Sequence, residues 1–347
     1  MKKKATLNDI AKVIGLTKVS ISKALRDHPD ISENTKKKVK KIAEDMGYRP
    51  NLIARSLTSS RSKTLGVVVP KIAHNFFAQV VAGIQQYASS KEYEIVLTIS
   101  EEDEQQERKH IETLVAMQVD GLLVSVSMET RNKEVFEWLR EIQVPLVFFD
   151  RNIPGLGFNS VIIDDENSAA EGVNHLINMG CRNIAHLAGY DHVSIGRKRR
   201  IGYEKALKEK NLPLDESMII EGGFNEEFGY EGFKKLRAKG IMPDGLLVVS
   251  FPVGLGACIA MREENPELMD NIQMMSFGDS GVSDIVSYPQ FYIDQSGLAI
   301  GQRSAKLLVK EISGKIKPAD HIEYIKTNIK KTGRLSTLNA TQLFQTR

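Results

Sequence analysis

The chain has 347 residues, of which 41% are apolar and 26% are charged. This length and apolar content predict two or three folded domains and exclude a disordered chain. No apolar run reaches the roughly 18 residues of a membrane span, and the basic start is followed by no apolar stretch, which argues against a signal peptide. The two cysteines, Cys181 and Cys258, fit neither a disulfide framework nor a zinc site, so we expect a reducing compartment, the cytoplasm.

The charge is distributed unevenly along the chain. Residues 1–63 carry 16 Lys or Arg against 6 Asp or Glu, a net charge of +10, whereas residues 64–347 carry 31 against 38, a net charge of −7. A basic segment joined to an acidic one indicates that the N-terminal part meets a polyanion. Basic runs are also common on solvated helix faces, so the charge alone leaves both interpretations open.

The N-terminal segment predicts three short helices. The first has Leu7, Ile10 and Ile14 on one face, with Thr6 as its N-cap and Gly15 at its left-handed end. A second helix is predicted after Thr17, and a third between Ser32 and Gly47.

Two helices joined by a tight turn and supported by a third are typical of a helix-turn-helix protein, whose second helix enters the DNA major groove. On the second helix, the outward residues suited to base or phosphate contacts are Lys18, Val19, Ser22 and Lys23. Thr17 and the helix N-terminus are suited to bind a phosphate. The alternative is a three-helix bundle with lysines on its solvated side.

The same segment closely resembles the DNA-binding head of the lactose-repressor (LacI/GalR-type) transcriptional regulators. The motifs that carry the resemblance are residues 6–11 (TLNDIA), 15–17 (GLT), 20–25 (SISKAL), 47–51 (GYRPN) and 54–57 (ARSL). The resemblance implies DNA contacts at Thr6, Thr17, Lys18, Val19, Ser20, Ser22, Lys23, Asn51, Ala54, Arg55 and Leu57. Many members carry arginine where this chain has Lys23, so their operator sequences cannot be transferred to it.

A short hinge helix is predicted to begin at Asn51 and to end at Leu57. Seven residues are too few for a stable isolated helix, so the alternative is a flexible tether. The resemblance implies that two hinges pair across a homodimer on DNA. Leu57 would then wedge into a minor-groove base step, with Ala54 as the close-packing partner.

From residue 64 onward, short apolar runs alternate with helical patterns, which predicts a parallel α/β sheet with helices on both faces. We therefore expect an all-α helix-turn-helix head and an α/β body of two doubly wound, parallel-sheet lobes. The predicted body elements are 65–70, 79–90, 93–99, 104–117, 121–126, 134–140, 145–149, 183–187, 200–210, 218–220, 229–238, 245–249, 254–263 and 273–277.

The body resembles the periplasmic sugar-binding proteins, as does that of the repressor family. The resemblance rests on Pro70 with residues 74–77 (HNFF), on 120–122 (DGL), 149–151 (FDR) and 199–203 (RRIGY), and on Pro289 with 294–295 (DQ). It implies a ligand between the lobes and a late strand, near residues 292–294, that returns to the first lobe. The effector contacts that we expect are Phe76, Phe77, Phe149, Asp150, Arg151, Arg199, Phe251 and Asp279, with Arg199 opening a helix. For each aromatic, plain packing in the core is the alternative.

Two positions depart from the family pattern. Ser250 and Phe251 stand where members commonly have Asn-Asp, and Gly278 stands where they commonly have an effector-binding aspartate, with Asp279 one place later. The loss of two acceptors of sugar hydroxyls indicates a less polar or altered effector site. A regulator without an effector stays open as the alternative.

The domain boundaries expected are 1–50 for the helix-turn-helix domain, 51–63 for the hinge and linker, 64–333 for the effector-binding and dimerisation domain, and 334–347 for a tail. The leading hypothesis is a dimeric repressor that binds a pseudopalindromic DNA operator and responds to a small molecule, a sugar or a derivative. No catalytic residue, metal site, cofactor or membrane contact is predicted. A transport receptor and an α/β enzyme with a DNA-tethering head are the competing hypotheses.

Overall fold

The computed structural model describes residues 5–25, 27–48, 61–73, 75–278 and 288–333. The chain divides into two compact units, residues 1–62 and 63–347, called here the head and the body. Within the described residues, none of the helices combines the length and the apolar character that a membrane crossing requires.

The head consists of three helices, α1 (Leu7–Ile14), α2 (Lys18–Leu25) and α3 (Glu33–Asp45). Thr6 and Asp9 form a reciprocal capping box at the start of α1, and Gly15 ends that helix with a φ of 73°. The predicted three-helix arrangement is confirmed. Its fully or largely buried core consists of Ile10, Ile21, Ala24, Val39 and Ala43.

The body contains twelve strands, nine α-helices and one 3-10 helix (Glu216–Met218) among its described residues. In chain order they are β1 (Thr64–Val69), α4 (Asn75–Ser90), β2 (Glu94–Ile99), α5 (Glu104–Ala116), β3 (Gly121–Val124), α6 (Glu134–Glu141), β4 (Leu146–Phe149), β5 (Asn159–Ile163), α7 (Asp165–Asn178), β6 (Ile184–Gly189), α8 (Ser194–Glu209), β7 (Ile219–Gly222), α9 (Glu226–Ala238), β8 (Gly245–Val248), α10 (Phe251–Glu264), α11 (Leu268–Asn271), β9 (Gln273–Phe277), β10 (Phe291–Asp294), α12 (Gly297–Ile312), β11 (Ile322–Ile325) and β12 (Asn328–Lys331).

The strands form two six-stranded sheets, one for each lobe. The first has the order β11-β5-β4-β3-β1-β2 and is parallel throughout. The second has the order β12-β10-β9-β8-β6-β7, and only β12 is antiparallel among its described strands. The predicted fold class, two parallel-sheet lobes behind a helical head, is confirmed.

The prediction that the strand near residues 292–294 returns to the first lobe is wrong. β10 pairs in parallel with β9, and its three core residues complete the second sheet beside that strand. The chain returns to the first lobe through α12 and β11 instead, where β11 pairs with β5. Gly301 allows α12 to approach α4, because a Cβ atom there would lie 2.0 Å from the Val80 carbonyl oxygen.

Six strands and α-helices were not predicted: β5, α7, α11, α12, β11 and β12. The buried face of α7 consists largely of small residues, including Ser168, Ala169 and Gly172, so its apolar periodicity is weak. Several predicted helices also begin earlier than expected. The most consequential is α8, which begins at Ser194, so that Arg199 lies in its second turn and does not open the helix.

Candidate DNA-contacting helix and ligand cleft

The outward face of α2 carries several of the predicted DNA contacts. Val19 is an apolar side chain that is 65% exposed, and Lys18 is also exposed. The Thr17 hydroxyl oxygen accepts a hydrogen bond of 3.1 Å from the Ser20 backbone N–H, which makes Thr17 the N-cap of the helix. The start of α2 therefore presents a capped helix end and an uncovered apolar side chain, a combination suited to phosphate and base contacts.

Two head lysines are held by carboxylates of the loop between α2 and α3. Lys23 Nζ donates to Asp30 Oδ2 at 2.8 Å, and Lys40 Nζ donates to Asp27 Oδ1 at 2.6 Å. These lysines lower the pKa of both aspartates. Lys23, a predicted base contact, is thus already engaged within the head.

Five of the predicted contacts lie outside the described residues: Asn51, Ala54, Arg55, Leu57 and Asp279. Their roles stay predictions from the sequence.

The body contains a cavity between its two lobes, at the carboxyl ends of the parallel strands, where α/β proteins commonly bind ligands. It encloses about 750 Å³, part of which is open to solvent. The first-lobe lining residues are Lys71, Phe76, Phe77, Glu102, Met128, Asp150 and Arg151, and the later residues are Ile195, Arg199, Phe224, Asn225, Ser250, Phe251, Pro252, Phe277, Gly278 and Gln295.

Arg199 is the largest fully buried side chain of the described residues, with 1% exposure. Its Nε atom donates to Asp165 Oδ1 at 2.8 Å, Nη1 donates to the Val249 carbonyl oxygen, and the guanidinium stacks on the Phe277 ring at 3.8 Å. Nη2 lies 2.8 Å from the same Asp165 oxygen but makes no hydrogen bond. One nitrogen of a fixed guanidinium therefore has no hydrogen-bond partner at the cavity wall.

A close helix contact brings Arg199 and Asp165 together. A Cβ atom at Gly202 of α8 would lie 2.1 Å from the Glu166 carbonyl oxygen of α7, so only glycine permits this approach. Asp165, at the start of α7, is then within reach of Arg199 on α8. Burial raises the pKa of the Asp165 carboxyl, and the charge of Arg199 opposes that shift.

Asp150 and Arg151 form the first-lobe side of the cavity. Asp150 has a φ of 59°, the left-handed region, and its buried carboxylate lies 3.9 Å from Arg151 Nε, an ion pair. Burial raises its pKa to about 6, although the charges of Arg151 and Arg199 oppose the shift. Arg151 donates twice to Glu102, at 2.8 and 3.1 Å, and lies 4.7 Å from the Phe224 ring centre.

The second-lobe wall is mainly apolar, with Phe224, Phe251 and Phe277. At Gly278, which has a φ of 74°, a Cβ atom would lie 3.1 Å from Gln295 Oε1, so the Gln295 amide occupies the space beside this glycine. The wall therefore offers ring faces and an amide in place of a carboxylate at position 278.

The cavity collects most of the predicted effector residues: Phe76, Phe77, Asp150, Arg151, Arg199 and Phe251. Phe149 does not line it, contrary to expectation. Because side chains alternate along a strand, Phe149 lies on the same face of β4 as Val147 and packs, fully buried, in the core with Val161.

Sequence reasoning missed several residues of the cavity. Glu102, Phe224 and Gln295 each lie within three residues of the end of an observed strand, so strand ends were the available signal. Asp165 gave no signal, because its strand and helix were not predicted.

Comparisons with known proteins agree with this arrangement. Residues 62–333 match the family described as periplasmic binding proteins and sugar-binding domain of the LacI family, and residues 6–51 match the bacterial regulatory proteins of the lacI family. The chain is 28% identical to the transcriptional regulator RegA of Clostridium saccharobutylicum over 89% of this chain and 93% of that protein. It is 29% identical to the catabolite control protein A of Priestia megaterium over 88% of this chain and 92% of that protein.

Solved structures with the same fold include the lac repressor dimer bound to operator and an anti-inducer, with a TM-score of 0.82, 23% identity and coverage of 96% of this chain and 99% of that one. A CelR–cellobiose complex has a TM-score of 0.70 and 24% identity, with coverage of 95% and 100%. The helical head, the two-lobed body and the cleft between the lobes thus all agree with the same protein family. The chain belongs to the LacI family of bacterial transcriptional regulators, with a helix-turn-helix DNA-binding domain and an effector-binding domain.

Proposed function

We propose that this regulator binds a pseudopalindromic operator as a homodimer, and that a sugar or sugar derivative in the interlobe cavity modulates its affinity for DNA. The observation that carries the proposal is a pair of buried polar groups facing one cavity from opposite lobes. Asp150 pairs only with its neighbour Arg151, at 3.9 Å, and Arg199 pairs with Asp165 but makes no hydrogen bond through Nη2.

A buried polar group without a hydrogen bond is unfavourable by about 1–3 kcal/mol, so a ligand that accepts a hydrogen bond from Arg199 Nη2 gains affinity. A hydroxyl can donate to Asp150, and a second oxygen can accept from Arg199. A molecule that satisfies both groups spans the two lobes and therefore favours one lobe arrangement over others. This differential affinity is the required basis of an allosteric response.

The apolar wall of the second lobe indicates which kind of sugar fits the cavity. Phe224, Phe251 and Phe277 offer ring faces, whereas Asp150 and Arg199 provide the polar contacts. This combination favours a sugar with an apolar face or substituent over a small, fully hydroxylated sugar. Proteins of the same fold have been solved with cellobiose and with fructose 1-phosphate, the latter in Cra of Pseudomonas putida.

The domain roles follow from this mechanism. Residues 1–50 bind DNA, 51–63 form the hinge, 64–333 bind the effector and dimerise, and 334–347 form a tail. The predicted contacts of α2 and of the hinge, with Leu57 as the minor-groove wedge, bind the operator, and the protein acts in the cytoplasm without catalysing a reaction. A change in lobe arrangement alters the spacing of the two hinges and hence operator affinity.

The first test uses DNA. Duplexes selected from a randomised library by the full-length chain should converge on a pseudopalindrome, and Leu57→Ala should weaken binding to the selected duplex strongly while ligand binding is unchanged. Lys18→Ala and Lys23→Ala should reduce discrimination against a scrambled duplex. Selection that yields no preferred sequence contradicts the proposal.

The second test uses the cavity. Asp150→Asn keeps the shape of the side chain but removes its charge, and the release or recruitment of the selected duplex by a panel of sugars and aryl glycosides should be lost. Glu171→Gln, an exposed change on α7, is the matched control and should respond like the natural chain. An unchanged response in Asp150→Asn would remove the cavity from the mechanism.

A further inference from the structure

Lys23 and Asp30 are organised before any DNA is bound. The Lys23 ammonium lies 2.8 Å from Asp30 Oδ2, and the loop that carries Asp30 is tied to the same helix. The His28 backbone N–H donates to the Lys23 carbonyl oxygen at 3.1 Å, and the Ile31 N–H donates to the His28 carbonyl oxygen at 3.2 Å. These main-chain hydrogen bonds place Asp30 next to α2, where its Oδ2 atom also lies 3.3 Å from His28 Nδ1.

A lysine ammonium has three N–H donors on a long, flexible stem. One donor is engaged by Asp30, and two remain for other acceptors. The side chains of Lys23 and Asp30 are 34% and 59% exposed, so both are accessible to a partner. A lysine without such an anchor can turn to the nearest phosphate, which carries no sequence information.

We propose that Asp30 is a positioning residue for DNA recognition: it holds the Lys23 ammonium so that its remaining donors meet the acceptors of a base edge instead of the phosphates. The proposal rests on the proposed role of Lys23 as a base contact. Asp30 thereby determines specificity at the base that Lys23 meets, and its negative charge also disfavours docking on unmatched DNA.

The neighbouring pair provides an internal control. Asp27 lies in the same loop, carries the same charge and holds Lys40 of α3, which is not a predicted base contact. Asp27→Asn and Asp30→Asn therefore change the net charge of the head equally, but only the second frees Lys23.

The experiment measures the affinity of the full-length chain for its selected duplex and for a scrambled duplex of the same composition, over a range of salt concentrations. Asp30→Asn should raise affinity for the scrambled duplex about three- to fivefold more than affinity for the selected one. Its salt dependence on the scrambled duplex should steepen by about one phosphate contact. Repeated selection should show relaxed preference at one base pair in each half-site.

Asp27→Asn should change both duplexes by the same factor and leave the base preference intact. In a Lys23→Ala background, Asp30→Asn should no longer alter the ratio between the two duplexes. The proposal is overturned if Asp30→Asn behaves like Asp27→Asn, or if it strengthens the selected duplex more than the scrambled one. A natural chain that does not distinguish the duplexes would instead overturn the proposed function.

Discussion

Two ion pairs of the head and two at the cavity of the body differ in how far they are buried. The Lys23–Asp30 and Lys40–Asp27 pairs of the head have side chains 34–60% exposed, whereas Arg199–Asp165 and Arg151–Glu102 of the body are at most 8% exposed. Exposed pairs contribute little to stability and can exchange partners in water. Removing one partner of a buried pair strongly destabilises the fold, because the other charge is left buried without a partner or water.

This difference matches the two kinds of ligand. DNA approaches an exposed helix, so its phosphates and bases can exchange with the partners of surface lysines. In the cavity, Arg199 is already paired with Asp165, and only its Nη2 atom makes no hydrogen bond. Substitutions that break these buried pairs should therefore lower the stability of the body far more than substitutions that break the exposed pairs lower that of the head.

The largest effect should come from Arg199→Ala. It leaves the Asp165 carboxylate buried without its partner, and we expect the free energy of unfolding of the body to fall by about 3 kcal/mol. Urea denaturation followed by far-UV circular dichroism measures the change. Arg197→Ala, an exposed change on the same helix, should have little effect. Equal effects of the two substitutions would contradict the contrast between buried and exposed charges.

A second test uses pH. Glu107 of α5 is buried, accepts hydrogen bonds from the Ser127 N–H at 2.6 Å and from the Thr130 hydroxyl at 2.8 Å, and has a pKa raised by burial from 4.5 to about 7. Between these values the folded chain holds a proton that the unfolded chain has lost. Its contribution to stability is therefore present below about pH 4.5 and lost as pH rises to about 7.

Glu107→Gln cannot titrate, so the difference in unfolding free energy between the natural chain and this variant should change between pH 5 and pH 7.5, by at most about 1.4 kcal/mol per pH unit. Two other buried groups also make stability depend on pH: Glu311, whose pKa is raised to about 7, acts in the same direction, and His186, whose pKa is lowered to about 4, acts in the opposite direction. Both are present in the natural chain and in the variant, so their contributions cancel in the difference. Gln105→Ala, an exposed change on α5 in which neither side chain titrates, should give a difference independent of pH.

A smaller effect is expected in the head. Thr6→Ala removes the hydroxyl that accepts the Asp9 N–H at 3.3 Å, and loss of such a cap lowers helix stability by about 1 kcal/mol. Amide hydrogen exchange in α1 should accelerate about fivefold, whereas Asn8→Ala, an exposed change in the same turn, should leave it nearly unchanged. Unaltered exchange in Thr6→Ala would show that the capping box does not stabilise the head.

The smallest effect is expected for Asp27→Asn. Its pair with Lys40 is exposed on both sides, so the thermal midpoint of the head should not shift measurably. A clear decrease would place this pair among the stabilising contacts of the head and weaken the contrast with the body.

Much of the fold could be predicted because its signals are local. Thr6, Gly15 and Thr17 mark helix ends through their own hydrogen bonds and dihedral angles. Apolar runs such as those of β1 and β8 predict buried parallel strands. Helix α7 was missed because its buried face is built of small residues, whose burial depends on the neighbouring helix α8. β10 was assigned to the wrong lobe, because the sequence of one strand does not show which of the two sheets it will pair with.

The sequence by itself determined the family, the helical head, the two-lobed body and most of the polar residues of the cavity, since these follow from motifs, periodicity and strand ends. Only the tertiary structure decided that Phe149 packs in the core, that Asp165 holds Arg199 through the close approach at Gly202, and that Asp30 holds Lys23. Each of these depends on which residues distant in sequence become neighbours in space. Packing and desolvation settle that choice, and neither can be evaluated along a single stretch of chain.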